Sequence, residues 1–218
     1  MTENKDPNEA AIADRVARLV RAERTGVLPL RIWPDEALKS AAAPVNAEEL
    51  GDQLKAIVDR MLSTMYMTGG VGLAGPQVGY MKRVFVMDSD PRGRKPRVFI
   101  NPVIDKASPV MLSQIEGCLS FPGLRQSVQR PAQVIVTYID ENFQAQRDVM
   151  AGLEARIAQH EIEHLDGKTF LDSMTPNQRA YALREITRAR KKDAVRGRSS
   201  SIKKEAVKAA KKSQRRRR

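Results

Sequence analysis

Several residue types are scarce in this chain, and each scarcity excludes a class of protein. The 218 residues include a single cysteine, which rules out an intramolecular disulfide and is typical of a reducing compartment, so we expect the cytoplasm. No apolar run approaches the roughly 18 residues of a membrane helix, so no membrane contact is expected. Acidic residues among the first 25 positions argue against an organellar transit peptide, and no apolar segment there suits a secretory signal.

Acidic residues are also nearly absent from the C-terminal end. Residues 188–218 contain 15 Lys and Arg residues but only Asp193 and Glu205, a net charge of +13, whereas the other 187 residues together carry −1. A basic segment on a neutral body is typical of an appendage with its own anionic partner. It has no aromatic residue, so any nucleic-acid affinity would come from phosphate neutralisation and not from base stacking. We predict that residues 191–218 form a disordered tail, with a tail that has no partner as the alternative.

The two histidines of the chain are placed for metal binding. They lie in Gln159–His164, four residues apart, and Glu161 directly follows the first of them. Positions i and i+4 share one face of an α-helix, so both imidazoles can reach one ion. Glu161 would lie near the ion without binding it, which suits a general base that acts on water activated by the metal. The alternative is that two surface histidines match this pattern by chance.

A catalytic metal of this kind needs a third protein ligand and an open position for water. Cys118 is one candidate, although a lone cysteine is often only a small buried apolar residue. Glu185, on a later predicted helix, is another and would indicate a zinc endopeptidase. A further class of zinc proteases places a third histidine six residues after the second, but that position is Phe170, which cannot bind metal. The residues alone leave Cys118 and Glu185 open.

Apolar periodicity predicts an α+β body with antiparallel strands around one buried helix. The predicted helices cover 8–24, about 46–65 with Asn46 as N-cap, about 152–166 and about 175–192. The predicted strands cover 82–88, 97–100, 110–115, 134–139 and 144–150, and the second is expected to stop at Asn101-Pro102. The glycine-rich stretch 70–79 lacks the Gly-Lys-Ser/Thr ending of a phosphate-binding loop, so it predicts only a backbone that a ligand can approach closely. We expect an N-terminal helical extension over 1–27 and a catalytic domain over 28–190.

Three stretches, in order, resemble the motifs of peptide deformylases. Gly70–Gln77 matches a G-x-G-L-A-x-x-Q loop, Glu116–Ser120 an E-G-C-L-S turn, and Gln159–Leu165 a Q-H-E-x-x-H-L helix. The resemblance covers roughly residues 28–175 and implies a peptide-deformylase-like α+β fold. It departs from the family at Gly75, where alanine is usual, and at Glu163, where aspartate is usual.

The resemblance implies hydrolysis of the N-formyl group from the N-terminal formylmethionine of nascent polypeptides, with release of formate. One divalent ion is implied per chain, Fe²⁺ being expected and Zn²⁺, Ni²⁺ or Co²⁺ possible. The implied ligands are Cys118, His160 and His164. Glu161 is implied as general base and then acid while water activated by the metal attacks the formyl carbon. The implied donors to the developing oxyanion are the backbone N–H of Leu119 and the side-chain amide of Gln77.

The resemblance also implies a binding site for the substrate. Gly72 would pair with the peptide backbone as in strand addition, and the methionine pocket would be lined by Val71, Leu153 and Ile157. Glu154 and Arg156 are expected to face outward. Arg125 is expected at the substrate site, either paired with Glu116 or inert on the surface.

The resemblance extends to the expected partners as well. We expect a monomer, and we expect residues 191–218 to contact ribosomal RNA, because the substrate emerges at the ribosome. A non-catalytic RNA-binding protein or ribosome-binding protein remains a further alternative.

Overall fold

A computed structural model describes residues 26–90, 93, 95–188 and 191 of the chain. The helix predicted over 8–24 and, apart from Lys191, the basic tail lie outside these residues. Among the described helices, none is long and apolar enough to cross a membrane.

The described residues form seven strands and three α-helices. The strands are β1 (Gly72–Ala74), β2 (Val84–Met87), β3 (Arg97–Ala107), β4 (Met111–Gly117), β5 (Arg125–Pro131), β6 (Gln133–Ile139) and β7 (Ala145–Ala151). The helices are α1 (Asp52–Met67), α2 (Gly152–Leu165) and α3 (176–188). Five strands form an antiparallel sheet in the order β1-β2-β3-β6-β7, and β4 pairs with β5 in a separate antiparallel hairpin. The predicted α+β class, with antiparallel strands around a central helix, is confirmed.

The central sheet is covered on both faces, which explains the continuous apolar run of β2. Val84 and Val86 pack in the same core cluster as α1, whereas Phe85 and Met87 pack in the cluster that contains α2. Alternate side chains of a strand point to opposite faces, so a strand between two helices must be apolar at every position. All four residues of β2 are buried.

The helix α2 lies against the sheet through its small and aliphatic residues. Ala155, Ala158, Ile162 and Leu165 are buried in the cluster that includes the inward-facing residues of β6. The two alanines let the helix approach the sheet closely, and each large aliphatic side chain buried there contributes about 1.5–3 kcal/mol. This packing fixes the helix that carries the two histidines.

The C-terminal end of α2 is tied to the loops around it. The backbone N–H of Ala42 donates to the carbonyl of Leu165 at 2.8 Å, and Arg83 pairs with Asp166 at 2.7 Å. Gly167 has a φ of +70°, and a Cβ there would lie 2.8 Å from the backbone of Ser40. Glycine is required at that position both by its conformation and by this contact.

Three sequence-based expectations about elements differ from the structure. The strand that begins at Arg97 does not stop at Asn101-Pro102, because the register shifts between Ile100 and Val103 and lets the proline sit at an irregularity. Asn46 precedes a short 3₁₀ helix, and α1 begins only after Gly51. The strand β5 was not predicted, because most of its seven residues are polar.

Candidate active site

The two histidines and the cysteine come together at one point. His160 and His164 lie one turn apart on α2, and Cys118 lies in the turn after β4. Their ligand atoms all lie within 4.8 Å of one another, and Cys118 Sγ is 3.2 Å from His164 Nε2. Glu185 does not belong to this group and pairs instead with Arg188 at 2.8 Å. Cys118 therefore completes the group of possible metal ligands in the described part of the chain.

These donor atoms fit a divalent metal ion. His160 Nδ1 lies 3.0 Å from Glu116 Oε2, which leaves Nε2 of that ring for a metal. A carboxylate behind a histidine ligand fixes the orientation and tautomer of the ring. One thiolate and two imidazoles leave a fourth position for water in a tetrahedral site. The residues present therefore suit a catalytic metal.

Behind His160 lies a cluster of charges, formed by the buried Glu116, Arg130 and Arg156 and the half-buried Glu163. Glu116 accepts hydrogen bonds from Arg130 at 2.7 and 3.0 Å and from Arg156 at 2.5 Å. Arg130 also donates to both carboxylate oxygens of Glu163, at 2.8 and 2.9 Å. Burial raises the pKa of Glu116, but hydrogen bonds with His160 and Arg130 outweigh it and lower this pKa to about 2. Glu116 is therefore ionised and held in place.

This cluster excludes one alternative for Arg125 and corrects the expectation for Arg156. Arg125 does not pair with Glu116, because the register of the hairpin places Arg125 opposite Gly117 and so on the other face of β4 and β5. Arg125 is exposed at the mouth of the cleft described below. Arg156 does not face outward and is only 8% exposed, whereas Glu154 is half-buried and accepts a hydrogen bond from Ser89.

Glu161 is buried beside the possible metal ligands and has an oxygen without a hydrogen-bond partner among the described residues. Its Oε2 has no hydrogen bond within the described residues. Burial raises the pKa of Glu161 to about 7, against the opposing effects of His160 and Arg130. A Cβ on Gly72 would lie 2.4 Å from Glu161 Oε1, so glycine at that position leaves the carboxylate its space. The geometry supplies a carboxyl group that can exchange a proton near neutral pH.

The pKa values of the two histidines are shifted in opposite directions. Burial lowers the pKa of His164 well below its ordinary value, and the nearby charges of His160 and Arg130 act in the same sense. Burial also lowers the pKa of His160, but interactions with Cys118 and Glu116 outweigh it and raise this pKa well above its ordinary value. Because protons compete with a metal for imidazole nitrogen, metal binding at this site weakens as the pH falls.

Gln77 extends from the glycine-rich loop to Cys118, one of the possible metal ligands. It is buried, and its Oε1 accepts a hydrogen bond from the backbone N–H of Ala74 at 2.8 Å. This contact fixes the amide so that Nε2 lies 3.4 Å from Cys118 Sγ and 3.3 Å from Ser120 Oγ. Leu119 lies between those two residues in the chain and lines the same cleft. An amide donor is thereby held next to the cysteine.

The site opens into a cleft of about 540 Å³. The expected site residues that line it are Val71, Gly72, Gln77, Cys118, Leu119, Arg125, Leu153, Ile157, His160 and Glu161. His164 is buried and lies outside this lining. Val71 and Leu153 are about half exposed at the mouth, whereas Ile157 is buried. The cleft is thus apolar along its walls and polar at its inner end.

Sequence reasoning missed several residues of this site. Ile115, Phe121, Leu124 and Arg156 also line the cleft, and Arg130 lies behind it. The register of β4 and β5 puts Arg130 on the same face as Glu116, and only that register could have identified it. The two family departures fit locally as well. Glu163 accepts hydrogen bonds from Nη1 and Nη2 of Arg130, and a Cβ on Gly75 would lie 2.4 Å from the carbonyl oxygen of Tyr80.

Comparison with known proteins agrees with this geometry. A sequence model of the polypeptide deformylase family matches residues 27–180, well over half of the chain. The chain belongs to this family. The peptide deformylase of Thermodesulfovibrio yellowstonii is 41% identical over 155 residues, which cover 70% of this chain and 92% of that one. The peptide deformylase of Chlorobium limicola is 38% identical over 164 residues, which cover 73% of this chain and 87% of that one.

Solved structures show the same fold. The crystal structure of a peptide deformylase from Legionella pneumophila superposes with a TM-score of 0.73 at 33% identity and covers 78% of this chain and 98% of its own. A peptide deformylase from Synechococcus elongatus, solved in complex with actinonin, gives a TM-score of 0.68 at 39% identity and covers 72% of this chain and 86% of its own.

Family membership confirms the predicted activity. The chain is a hydrolase that removes the N-formyl group from formylmethionyl nascent polypeptides. Peptide deformylases depend on a metal, and the cluster of Cys118, His160 and His164 is a possible site for it.

Proposed function

We propose that deformylation takes place at the inner end of the cleft, with Glu161 as the group that moves the proton. The observation that carries this proposal is the position of Glu161. It is buried within the cleft lining, next in sequence to His160, with an unpartnered oxygen and a pKa raised by burial to about 7. Glu161 accepts a proton from water at a carboxylate oxygen and delivers it to the departing amine.

Cys118, His160 and His164 would hold the metal ion. When bound, a divalent ion would supply Lewis-acid activation of water and of the formyl group. We propose Fe²⁺ as the working ion, with Zn²⁺, Ni²⁺ or Co²⁺ able to occupy the same donors. Glu116 keeps His160 oriented by accepting from Nδ1, since Glu116 is itself held by Arg130.

Negative charge develops on the formyl oxygen as the carbonyl is attacked, and two hydrogen-bond donors would stabilise it. We assign these roles to Gln77 Nε2 and the backbone N–H of Leu119. The support for Gln77 is its burial beside Cys118 and its fixed amide orientation. A donor of this kind contributes roughly 3 kcal/mol to the stability of the transition state.

The peptide would run along β1 and place its first side chain in the cleft. Gly72 lies on the short strand β1, which is an edge strand of the sheet and, among the described strands, pairs only with β2. Its backbone can therefore pair with the substrate on the open side. Val71, Leu153 and Ile157 would surround the methionine side chain. Arg125 at the mouth would donate hydrogen bonds to the peptide beyond it.

Formyl specificity follows from size. A formyl carbon bears only hydrogen, whereas the methyl group of an acetyl substrate would crowd the ligands and Gln77. The proposed enzyme acts as a monomer in the cytoplasm, with a catalytic domain over 28–190. The extension over 1–27 lies outside that domain, and the basic tail over 191–218 would contact ribosomal RNA.

The test is formate release by protein purified without oxygen and analysed for metal. We expect rapid release from formyl-Met peptides, little from acetyl-Met peptides, and inhibition by actinonin. Glu161→Gln should lose activity about 100-fold or more while it keeps its metal, because Glu161 is not a ligand. Glu154→Gln, on the same helix, is the matched control and should stay within a few-fold of the parent. Internal peptide cleavage without formate would overturn the proposal in favour of an endopeptidase.

A further inference from the structure

Arg156 is a buried charge with no part in the roles proposed above. It lies on α2 one turn before His160, lines the cleft, and is only 8% exposed. Burial of an arginine is costly unless its donors are satisfied by fixed partners. The partners of Arg156 therefore indicate what its burial achieves.

The guanidinium of Arg156 joins α2 to both strands of the β4–β5 hairpin. Its Nη2 donates to the carbonyl of Leu112 on β4 at 2.7 Å, and its Nη1 donates to the carbonyl of Val128 on β5 at 3.0 Å. Nη1 also contacts Glu116 at 2.5 Å. One side chain on α2 thus contacts the backbone of both strands, and its planar fork can make these bonds simultaneously where an ammonium cannot.

The hairpin needs such a connection. It is a separate two-stranded sheet, and two-stranded hairpins are only marginally stable alone. On β4, Met111, Leu112 and Ile115 are exposed, and Glu116 is the one residue of the strand that is buried. Apolar packing from β4 therefore contributes little to holding the strand against α2.

Arg130 has a different set of partners, which separates the two arginines. It lies on β5 itself and donates to the carboxylates of Glu116 and Glu163. If Arg156 were removed, Glu116 would keep two hydrogen bonds from Arg130 and its contact with His160. The orientation of His160 should therefore survive, whereas the hairpin should shift near Leu112 and Val128, where it loses its backbone hydrogen bonds to α2.

The cleft lies between the two elements that Arg156 connects. Ile115 and Gly117 of β4 line one side, and Leu153 and Ile157 of α2 line the other. We propose that Arg156 is a positioning residue that sets the width of the methionine pocket by holding the β4–β5 hairpin against α2. This inference rests on the proposed placement of the methionine side chain in the cleft. Its expected consequence is selectivity for the first side chain, not the chemical step.

The experiment compares formyl-Met-Ala and formyl-Ala-Ala peptides with the metal-loaded full-length protein. Arg156→Met keeps an unbranched aliphatic stem and removes the guanidinium donors. We expect the preference for methionine, expressed as the ratio of the two kcat/KM values, to fall about tenfold, through a higher KM for formyl-Met-Ala. A tenfold change corresponds to about 1.4 kcal/mol. Metal content and kcat should stay within about threefold of the parent.

Two further variants sharpen this comparison. Arg156→Lys keeps the charge next to Glu116 but lacks the fork, so its preference should lie between those of the parent and Arg156→Met. It also serves as the test variant if Arg156→Met does not fold. Arg130→Met should show the opposite pattern, with lower kcat and metal content and a smaller change in preference, because it removes the support of Glu116.

The outcomes separate this inference from the proposed function. If the parent prefers methionine and both Arg156 variants keep the same ratio at a lower overall rate, Arg156 serves stability alone and the inference is wrong. Metal loss and a collapse of kcat in Arg156→Lys would also overturn it, because they would assign Arg156 to His160. A parent that releases formate without preferring methionine would refute the pocket assignment. A parent that releases no formate would refute the function itself.

Discussion

The two sides of α2 are held in place by different forces. One side packs Ala158, Ile162 and Leu165 against the sheet, where contacts are apolar and non-directional. The other side presents His160 and Glu161 to the cleft, and there the contacts are hydrogen bonds and ion pairs with fixed geometry. The apolar side determines where the helix lies, and the polar side determines what the helix can do. Both faces of this 14-residue helix are therefore stabilised, by apolar packing on one side and by charge pairing on the other, and only the polar face presents reactive groups.

The largest expected effects are on the free energy of unfolding. Their dependence on pH tests whether the two sides of α2 are held by different forces. Leu165→Ala removes a fully buried side chain and should lower the free energy of unfolding by about 3 kcal/mol at every pH. Glu116→Gln breaks a buried charge cluster and should lower it by about 3 kcal/mol at pH 7. The pKa of Glu116 is lowered in the folded protein from 4.5 to about 2, so its contribution is present above pH 4.5 and is lost as the pH falls toward 2.

Urea unfolding at pH 7 and pH 3.5 measures this difference. The deficit of Glu116→Gln relative to the parent should shrink at the lower pH, and the deficit of Leu165→Ala should not. Equal deficits of Glu116→Gln at both pH values would mean that the charge of Glu116 is not what stabilises the polar side of α2.

The difference between apolar packing and polar pairing also explains how much of the molecule could be predicted from the sequence. Apolar periodicity is local, so α2, β2, β6 and β7 were found close to their observed bounds. His160 and His164 were predicted to face one ion because their spacing is local too, whereas Cys118, distant in sequence, was singled out only by the family resemblance, and the structure brings it to the two histidines. Polar partners are not local. The sequence left open whether Glu116 pairs with Arg125, and its partners are instead Arg130 and Arg156, because partner choice depends on a hairpin register that polar β5 does not reveal.

An effect of intermediate size on stability and turnover is expected from substitution of Gly75. Gly75 begins the short 3₁₀ helix that carries Gln77, and a Cβ there would lie 2.4 Å from the carbonyl oxygen of Tyr80 and 2.8 Å from that of Lys82. Both atoms belong to the backbone and cannot rotate away. Gly75→Ala should therefore lower the free energy of unfolding by about 1–3 kcal/mol and lower kcat by displacing Gln77.

The matched control is Gly51→Ala. Gly51 has extended backbone with a φ of 177°, and a Cβ there would meet nothing within 4 Å. Its substitution should leave kcat unchanged and stability unchanged or slightly raised. If Gly75→Ala behaves like Gly51→Ala in urea unfolding and in formate release, the loop adjusts freely and the departure from the usual alanine has no structural cause.

The smallest expected effect on turnover is that of the basic tail. Deletion of residues 191–218 removes 13 basic and two acidic residues and takes the net charge from +12 to +1. Formate release from short peptides should stay within about twofold, because the ligands and the cleft lie upstream. Binding to ribosomes should fall sharply, since phosphate-driven affinity declines with the logarithm of salt at a slope of about −0.9 for each duplex phosphate neutralised.

Sedimentation with ribosomes across a salt series measures ribosome binding independently of turnover. The full-length protein should co-sediment at low salt and dissociate as the salt rises, whereas the truncated protein should bind weakly with a flatter dependence. Replacement of the final four arginines, residues 215–218, by glutamine keeps the length and should give an intermediate slope, because charge and not chain length sets the number of phosphates neutralised. Equal co-sedimentation of all three proteins at every salt concentration would show that the tail has no part in ribosome binding.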